Sequence, residues 1–210
     1  MSSKLYIHIK RIADFILTFT ALIMLYPALL LISLLIKIDS KGPVFFTQQR
    51  LGENGVLFNI YKFRSMKTET PRDLATDKLG DPTQYLTRIG KFIRKTSMDE
   101  LPQLINILRG DMSFVGPRPA LYNQYELIEA RRRFGIHRLK PGLTGYAQIM
   151  GRDFISDEQK VAYDKYYLDH ISFALDLKIL YLTFFKVLKA EGVKVEKTLV
   201  SRTTTEETQS

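Results

Sequence analysis

From Phe15 to Ile36 the chain reads FILTFTALIMLYPALLLISLLI, 22 residues without a charge. That exceeds the run of about 18 that marks a membrane helix. Lys37-Ile38-Asp39 follows instead of a small-residue cleavage motif, so the segment reads as a retained anchor rather than a signal peptide. Pro27 stands in mid-run, where it has no N–H for the Ile23 carbonyl and its ring crowds that carbonyl, which predicts a bend between Ile23 and Pro27. Basic residues flank both ends, Lys4, Lys10 and Arg11 before the run and Lys37, Lys41 and Arg50 after it, so charge asymmetry sets no orientation. Two placements are open: a proline-broken, re-entrant helix with both ends on the cytoplasmic side, and a straight span. Asp14 follows Arg11 and Lys10 by three and four residues, spacings at which it can pair with either at the membrane boundary.

Beyond the apolar run the periodicity changes. Two β-rich stretches around Glu53-Asn54-Gly55 predict an antiparallel hairpin over 44–64. Lys67 to Pro82 is polar and carries Pro71, Gly80 and Pro82, which predicts a loop of a length suited to a lid. Residues 84–95 set Leu86, Ile89 and Ile93 at helical spacing among Arg88, Lys91, Arg94 and Lys95, the pattern of a basic amphipathic helix, which can lie on anionic headgroups or be an ordinary surface helix with a solvated basic face; the neighbouring anchor favours the first. A further helix opens at Asp99-Glu100-Leu101-Pro102, with Leu101, Leu104, Ile105 and Leu108 as its apolar stripe and Arg109-Gly110 as its end. Helices are also expected at about 120–134, 156–169 (Ser156 to Gln159 fits a capping box) and 173–190, closed by Gly192. Residues 193–210 read as a disordered tail. The predicted organisation is an anchor over 1–40, a folded domain over 41–192 and the tail. Its class is α+β, mostly α, with interfacial amphipathic helices and the small β-hairpin around a compact catalytic core.

Length and composition narrow the chemistry. With 210 residues and 45% hydrophobic content the chain buries one core. Cysteine is absent and the three histidines (His8, His137, His170) are widely separated, so any metal would be a hard cation held by oxygen. A net charge of +9 points to a polyanionic partner. Charges in the tail cancel, so the excess belongs to the rest of the chain. No G-x-S-x-G, P-loop or G-x-G-x-x-G is present, which disfavours a triad hydrolase and a dinucleotide-binding enzyme.

What remains is a carboxylate pair, Asp99-Glu100, followed by two arginine-bearing loops, Gly116-Pro117-Arg118-Pro119 and the glycine-punctuated segment from Pro141 to Arg152. Taken singly, the acids are ordinary helix caps and the arginines ordinary turn or surface residues. Together they match what phosphoryl transfer needs: one carboxylate to attack phosphorus, one to hold Mg²⁺, and stiffly held arginines to take phosphate charge.

KFRSM (62–66), RKTSMDELPQLINILRGDMSFVGPRP (94–119) and PGLTGYAQIMGR (141–152), after a proline-broken apolar segment, resemble the bacterial sugar transferase family. The similarity runs from about Lys10 to Gly192 and is to the minimal catalytic form, the small monotopic polyprenyl-phosphate phosphoglycosyl transferases. It implies an anchor bent at Pro27 on the cytoplasmic face of the bacterial inner membrane. It also implies a ping-pong reaction in which Asp99 attacks the β-phosphorus of a UDP-sugar, commonly an N-acetylated one, and releases UMP. Undecaprenyl phosphate then takes the phosphosugar, in the first membrane step of a surface polysaccharide or glycoprotein glycan pathway. By this resemblance Glu100, with Asp99, holds Mg²⁺, and Arg94, Arg118, Arg152 and Lys62 contact phosphate. The implied partners are the UDP-sugar, undecaprenyl phosphate and membrane lipids, with a homodimer left open and no nucleic acid.

Three positions depart from the family pattern. Tyr26 stands where Ser often precedes the proline, Tyr146 where Trp is frequent, and Met150 where Asn usually precedes Gly-Arg. A second reading, an anchored basic module that recruits partners to anionic lipid, accounts for the apolar run and the charge. It leaves Asp99-Glu100 beside rigid arginines unexplained.

Overall fold

The structure, a computed structural model, describes residues 3–71, 81–151 and 155–189. Arg152, the 193–210 tail and most of the expected lid loop lie outside the described residues. A single helix, α1 (Ser3–Asp39), takes up the apolar run together with the basic flank before it. Its contour is about 55 Å at 1.5 Å per residue. Helical assignment continues through Pro27, so no non-helical residue divides α1 in two; a helix can absorb a missing N–H by bending instead of stopping.

One face of α1 meets the rest of the protein along nearly its whole length. Near the start, the Tyr6 hydroxyl donates to Asp176 (2.7 Å), Lys10 forms an ion pair with the same carboxylate (2.6 Å), and Asp14 accepts from the Ser113 hydroxyl (2.6 Å). Lys10 thus forms its ion pair with Asp176, 166 residues away, while its charge also acts on Asp14, one of the pairings that the local spacing allowed. In the middle, Ala21, Leu22 and Leu25 pack on Ile60, Leu104, Ile107 and Met112. Towards the end, Ile32 and Ile36 pack on Phe63 and Ile93, and Asp39 accepts the Ile89 N–H (3.1 Å). The opposite face, including Ile12, Phe15, Ile16, Phe19, Ile23 and Leu34, is exposed.

The hairpin forms as predicted. Strands β1 (Phe45–Leu51) and β2 (Leu57–Phe63) pair antiparallel from Phe45↔Phe63 to Leu51↔Leu57. Asn54 (φ 56°) and Gly55 (φ 79°) turn the chain through the left-handed region, which these two residue types tolerate best. Helix α2 (Arg88–Lys95) starts later than periodicity suggested, because Asp81 caps a separate 3₁₀ turn over Pro82–Tyr85 and Thr87 then caps α2 through the Gly90 N–H. Gly90 lies against the Ser65 carbonyl, where a Cβ would come within 1.8 Å of the oxygen. Ile93 is buried against α1 and β2, whereas Phe92 on the other side is exposed.

The expected helix from Asp99 is corrected. Ser97 adopts a left-handed conformation (φ 56°), Met98–Glu100 form a 3₁₀ turn, and α3 spans only Gln103–Arg109 with Pro102 at its N-cap. Pro102 has no N–H to give to a carbonyl four residues back, so the α-helical ladder begins after it. The buried face is Gln103, Leu104, Asn106 and Ile107, which keeps Leu104 from the expected stripe, while Leu101, Ile105 and Leu108 are only partly buried. Asn106 is wholly buried and joins α3 to β2, accepting the Tyr61 N–H (3.0 Å) and donating to the Asn59 carbonyl (2.8 Å).

Two short strands, β3 (Ser113–Val115) and β4 (Gly142–Thr144), pair in parallel and were not expected. Gly142 permits this approach, since a Cβ there would lie 2.1 Å from the Gly116 nitrogen. Helix α4 (Tyr125–Arg133) starts five residues late because Leu121 is occupied bridging to Arg50 on β1. Helix α5 (Tyr146–Met150) replaces part of the expected glycine-rich loop. Helix α6 (Asp157–Asp169) shows the anticipated capping box at Ser156 and Gln159, and α7 (Phe173–Leu188) is capped by Ser172. Val115, Ile149, Tyr167 and Ile179 join β3, α5, α6 and α7 in one cluster. The fold is mostly helical, as the sequence predicted, with the expected hairpin and a second small sheet that was not expected.

Candidate active site

Asp99 and Glu100 sit in the 3₁₀ turn between α2 and α3, which the left-handed Ser97 redirects toward β2. Asp99 is buried. Glu100 is the hub of the site: its Oε1 accepts from Lys62 Nζ (2.7 Å) and lies 3.2 Å from Arg118 Nη2. Lys62 comes from β2, while Arg118 comes from the loop after β3. Three segments distant in sequence thus converge on one carboxylate.

The Arg118 loop is held from behind. The Gly116 N–H donates to the Thr144 carbonyl and the Gly142 N–H to the Pro117 carbonyl, both at 2.9 Å, so the β3–β4 pairing extends into the loop. Arg131 on α4 donates through Nη1 to the Arg118 carbonyl (2.8 Å) and through Nε and Nη2 to Asp164 Oδ2 on α6 (3.0 and 2.6 Å). Arg131 and Asp164 are both buried, and the guanidinium fork fixes two groups at once. This leaves the Arg118 guanidinium, 38% exposed, able to meet an incoming anion.

Burial pushes the Lys62 ammonium below its ordinary range, against the pull of Glu100 and Asp99. The folded-state value lies under the unfolded 10.5, so the native state gives up this proton first, and stability rises with pH across the window that ends near 10.5. Lys62→Met should lack that rise. Thermal melts of both proteins in one detergent from pH 7 upward should show wild type gaining on the variant, and parallel curves would refute this origin of the pH dependence.

Of the residues singled out from sequence, Lys62, Glu100 and Arg118 are brought together directly, and Asp99 occupies the same turn, its charge acting on Lys62. Arg94 lies in the last turn of α2, and its carbonyl accepts the Ser97 N–H (3.1 Å). Arg152 lies outside the described residues, directly after α5. Arg131, Asp164 and Lys186 had been passed over. Arg131 stands in a run of three arginines, and nothing local separates it from its exposed neighbours Arg132 and Arg133.

Two adjacent carboxylates are hard oxygen donors and fit Mg²⁺, which binds through one or two carboxylates and completes its shell with water and substrate phosphate. Among the described residues there is no group of three or more His, Asp or Glu. A cation bound here would therefore depend on phosphate oxygens brought by a substrate.

Beside Glu100 and Arg118 opens a cavity of about 260 Å³. Leu143 from β4 and Leu180 and Val187 from α7 form part of its wall, and Lys186 stands with Arg118 among its charged lining. Carboxylates, a rigid arginine and a lysine around one opening can bind a phosphorylated compound and offer a carboxylate oxygen to phosphorus.

Residues 5–190 match the family model described as bacterial sugar transferase. The chain is 47% identical over 194 residues to the uncharacterized sugar transferase EpsL of Bacillus subtilis, covering 89% of this chain and 90% of that protein. It is 42% identical over 188 residues to the UDP-glucose:undecaprenyl-phosphate glucose-1-phosphate transferase of Escherichia coli, covering 85% of this chain and 40% of the relative. To the UDP-N-acetylgalactosamine-undecaprenyl-phosphate N-acetylgalactosaminephosphotransferase of Aeromonas hydrophila it is 35% identical over 199 residues, 92% of this chain and 47% of that protein. The chain thus spans nearly all of the first relative and less than half of the other two. A match over almost its full length, which includes the carboxylate turn and the arginine loop, places this chain in the bacterial sugar transferase family.

Proposed function

We propose that this protein transfers a phosphosugar from a UDP-sugar to undecaprenyl phosphate, giving undecaprenyl-diphosphate-sugar and UMP through a covalent aspartyl intermediate. The observation that carries this reading is the convergence of Lys62 and Arg118 on Glu100, one residue from the buried Asp99. In the first step an Asp99 carboxylate oxygen bonds to the β-phosphorus and the bond to the bridging oxygen breaks, leaving as UMP. In the second a phosphate oxygen of the acceptor bonds to the same phosphorus and the bond to Asp99 breaks, restoring the carboxylate. An aspartyl phosphoester suits this because it stays reactive toward a second, weak nucleophile. Arg118 and Lys62 take up charge on the transferred group, and Arg94 and Arg152 are proposed as further phosphate contacts. Held by Glu100 with Asp99, Mg²⁺ would neutralise charge on the diphosphate.

We infer that the protein sits at the cytoplasmic face of the bacterial inner membrane, and the course of α1 supports an interfacial placement. Both of its ends make polar contacts with the folded domain, through Lys10–Asp176 and Asp39–Ile89, while its outer face is apolar. A perpendicular span would carry the neighbouring α2 and α3, with exposed charges such as Lys91 and Arg109, into hydrocarbon. A re-entrant course, bent at Pro27 within one leaflet, avoids that cost. The site then meets a soluble donor on one side and a lipid acceptor on the other.

We assign an N-acetylated sugar to the donor, the class used by the A. hydrophila relative, in a glycan assembly pathway. Purified protein in lipid with Mg²⁺, undecaprenyl phosphate and a panel of UDP-glucose, UDP-N-acetylglucosamine and UDP-N-acetylgalactosamine should release UMP with one N-acetylated donor. Release with UDP-glucose alone would overturn the sugar assignment, and release with no donor would overturn the reaction.

A further inference from the structure

The cavity beside Glu100 and Arg118 is unlike a sugar or nucleotide site in its walls. Thr144 and Thr183 share a hydroxyl hydrogen bond (2.7 Å), Thr183 donates on to the Ile179 carbonyl (2.7 Å), and Gln148 Nε2 donates to the Leu143 carbonyl (3.1 Å). The two hydroxyls and the Gln148 amide nitrogen are thus satisfied within the protein, while Gln148 Oε1 has no partner; beside that one acceptor the wall offers an occupant chiefly the carbon of Leu101, Leu143, Ile149, Leu180 and Val187. Charge is concentrated in Glu100, Arg118 and Lys186. An apolar recess with cations beside it complements an amphiphile with an anionic head and a hydrocarbon tail.

The recess also adjoins an apolar surface. Leu180 lines it and is 36% exposed, and from there Leu177, Tyr181, Phe184 and Leu188 continue along the outside of α7, all more than half exposed. On a membrane-bound protein, a contiguous exposed apolar strip of this kind lies against lipid. A lipid can slide from that strip into the recess without leaving an apolar surface.

We infer that the recess between α7, β4 and the carboxylate turn binds the phosphate-proximal isoprene units of the polyprenyl phosphate acceptor, with Lys186 and Arg118 receiving its phosphate. The inference rests on the reaction proposed above and assigns its second substrate a place. A dry cavity of about 150 Å³ takes up a six-carbon ring, so 260 Å³ admits roughly two five-carbon units. The remaining isoprenes stay in the bilayer. Lys186 is thereby an acceptor-positioning residue.

The finite size of the recess makes the test specific. Steady-state turnover is measured with dimethylallyl, geranyl and farnesyl phosphates, of one, two and three isoprene units, each below its micelle concentration and at fixed detergent. The KM for the acceptor should fall about tenfold from one unit to two and change little from two to three, because the third unit lies outside. Val187→Trp, which fills the recess, should abolish the gain from the second unit, and Lys186→Gln should raise KM about tenfold for every acceptor while kcat changes less. The single-turnover release of UMP without acceptor is recorded for each protein, and KM values are compared only per burst-competent site. A KM that is flat, or that falls equally with each added unit, overturns the assignment, as does competition by phospholipid without any chain-length effect. Absence of turnover with every donor would sink the reaction and this assignment together, whereas turnover with a flat chain-length response sinks only the assignment.

Discussion

Asp99→Asn should reduce UMP release by at least about 10⁴-fold, the scale on which removal of a nucleophile acts. The amide keeps the shape of the side chain in its buried turn but has no anionic oxygen to form the phosphoester. Wild-type protein quenched after mixing with its donor should gain the mass of one phosphosugar on a peptide containing Asp99, and the variant should gain none. A variant that kept a tenth of wild-type turnover would exclude Asp99 as nucleophile. Its neighbour would then be the carboxylate to examine, although Glu100 is already engaged by Lys62 and Arg118.

The second large effect lies outside the reacting groups. Arg131→Met leaves Asp164 buried without its guanidinium and the Arg118 carbonyl without its donor. Breaking a buried pair in this way costs about 3–5 kcal/mol, which in a chain of this size lowers Tm by about 10 °C. Arg131→Lys keeps the charge beside Asp164 but cannot fork to two partners, so most of the Tm should return while KM for the UDP-sugar stays raised. That split separates positioning of Arg118 from mere stability. Full recovery of KM in the lysine variant would show that the Arg118 carbonyl contact contributes nothing to binding.

What could be read from sequence depended on how local its cause is. Helix α1 was legible because an uncharged run of this length has one stable habitat. Helix α6 was legible at its start because Ser156 and Gln159 satisfy each other's backbone groups within one turn. The pairing of β3 with β4 was not, since three-residue strands carry no alternation and their partner lies 29 residues on. The start of α3 was misread because the left-handed turn at Ser97 has no glycine to announce it. At the site, the acid pair and the proline-flanked arginine stood out by composition. Lys62 was noticed only through a resemblance, and Arg131 and Lys186 not at all, because their roles arise from distant chain segments meeting. The same holds for Asp176, which lies 170 residues from Tyr6, the partner that hydrogen-bonds to it.

That last separation sets an order on the birth of the molecule. The first turns of α1 leave the ribosome long before the carboxylate that fastens them, which comes only near the end of the described chain. At about 5–20 residues per second, 170 residues take roughly 10–30 s to make. Until β2, α2 and α3 have been made the long apolar helix has no protein surface for its inner face, and its first turns wait longer still, so lipid takes the uncovered part. The bilayer therefore acts first as a holding site for a half-made protein, and α7 closes the structure from the other end once synthesis has passed Asp176.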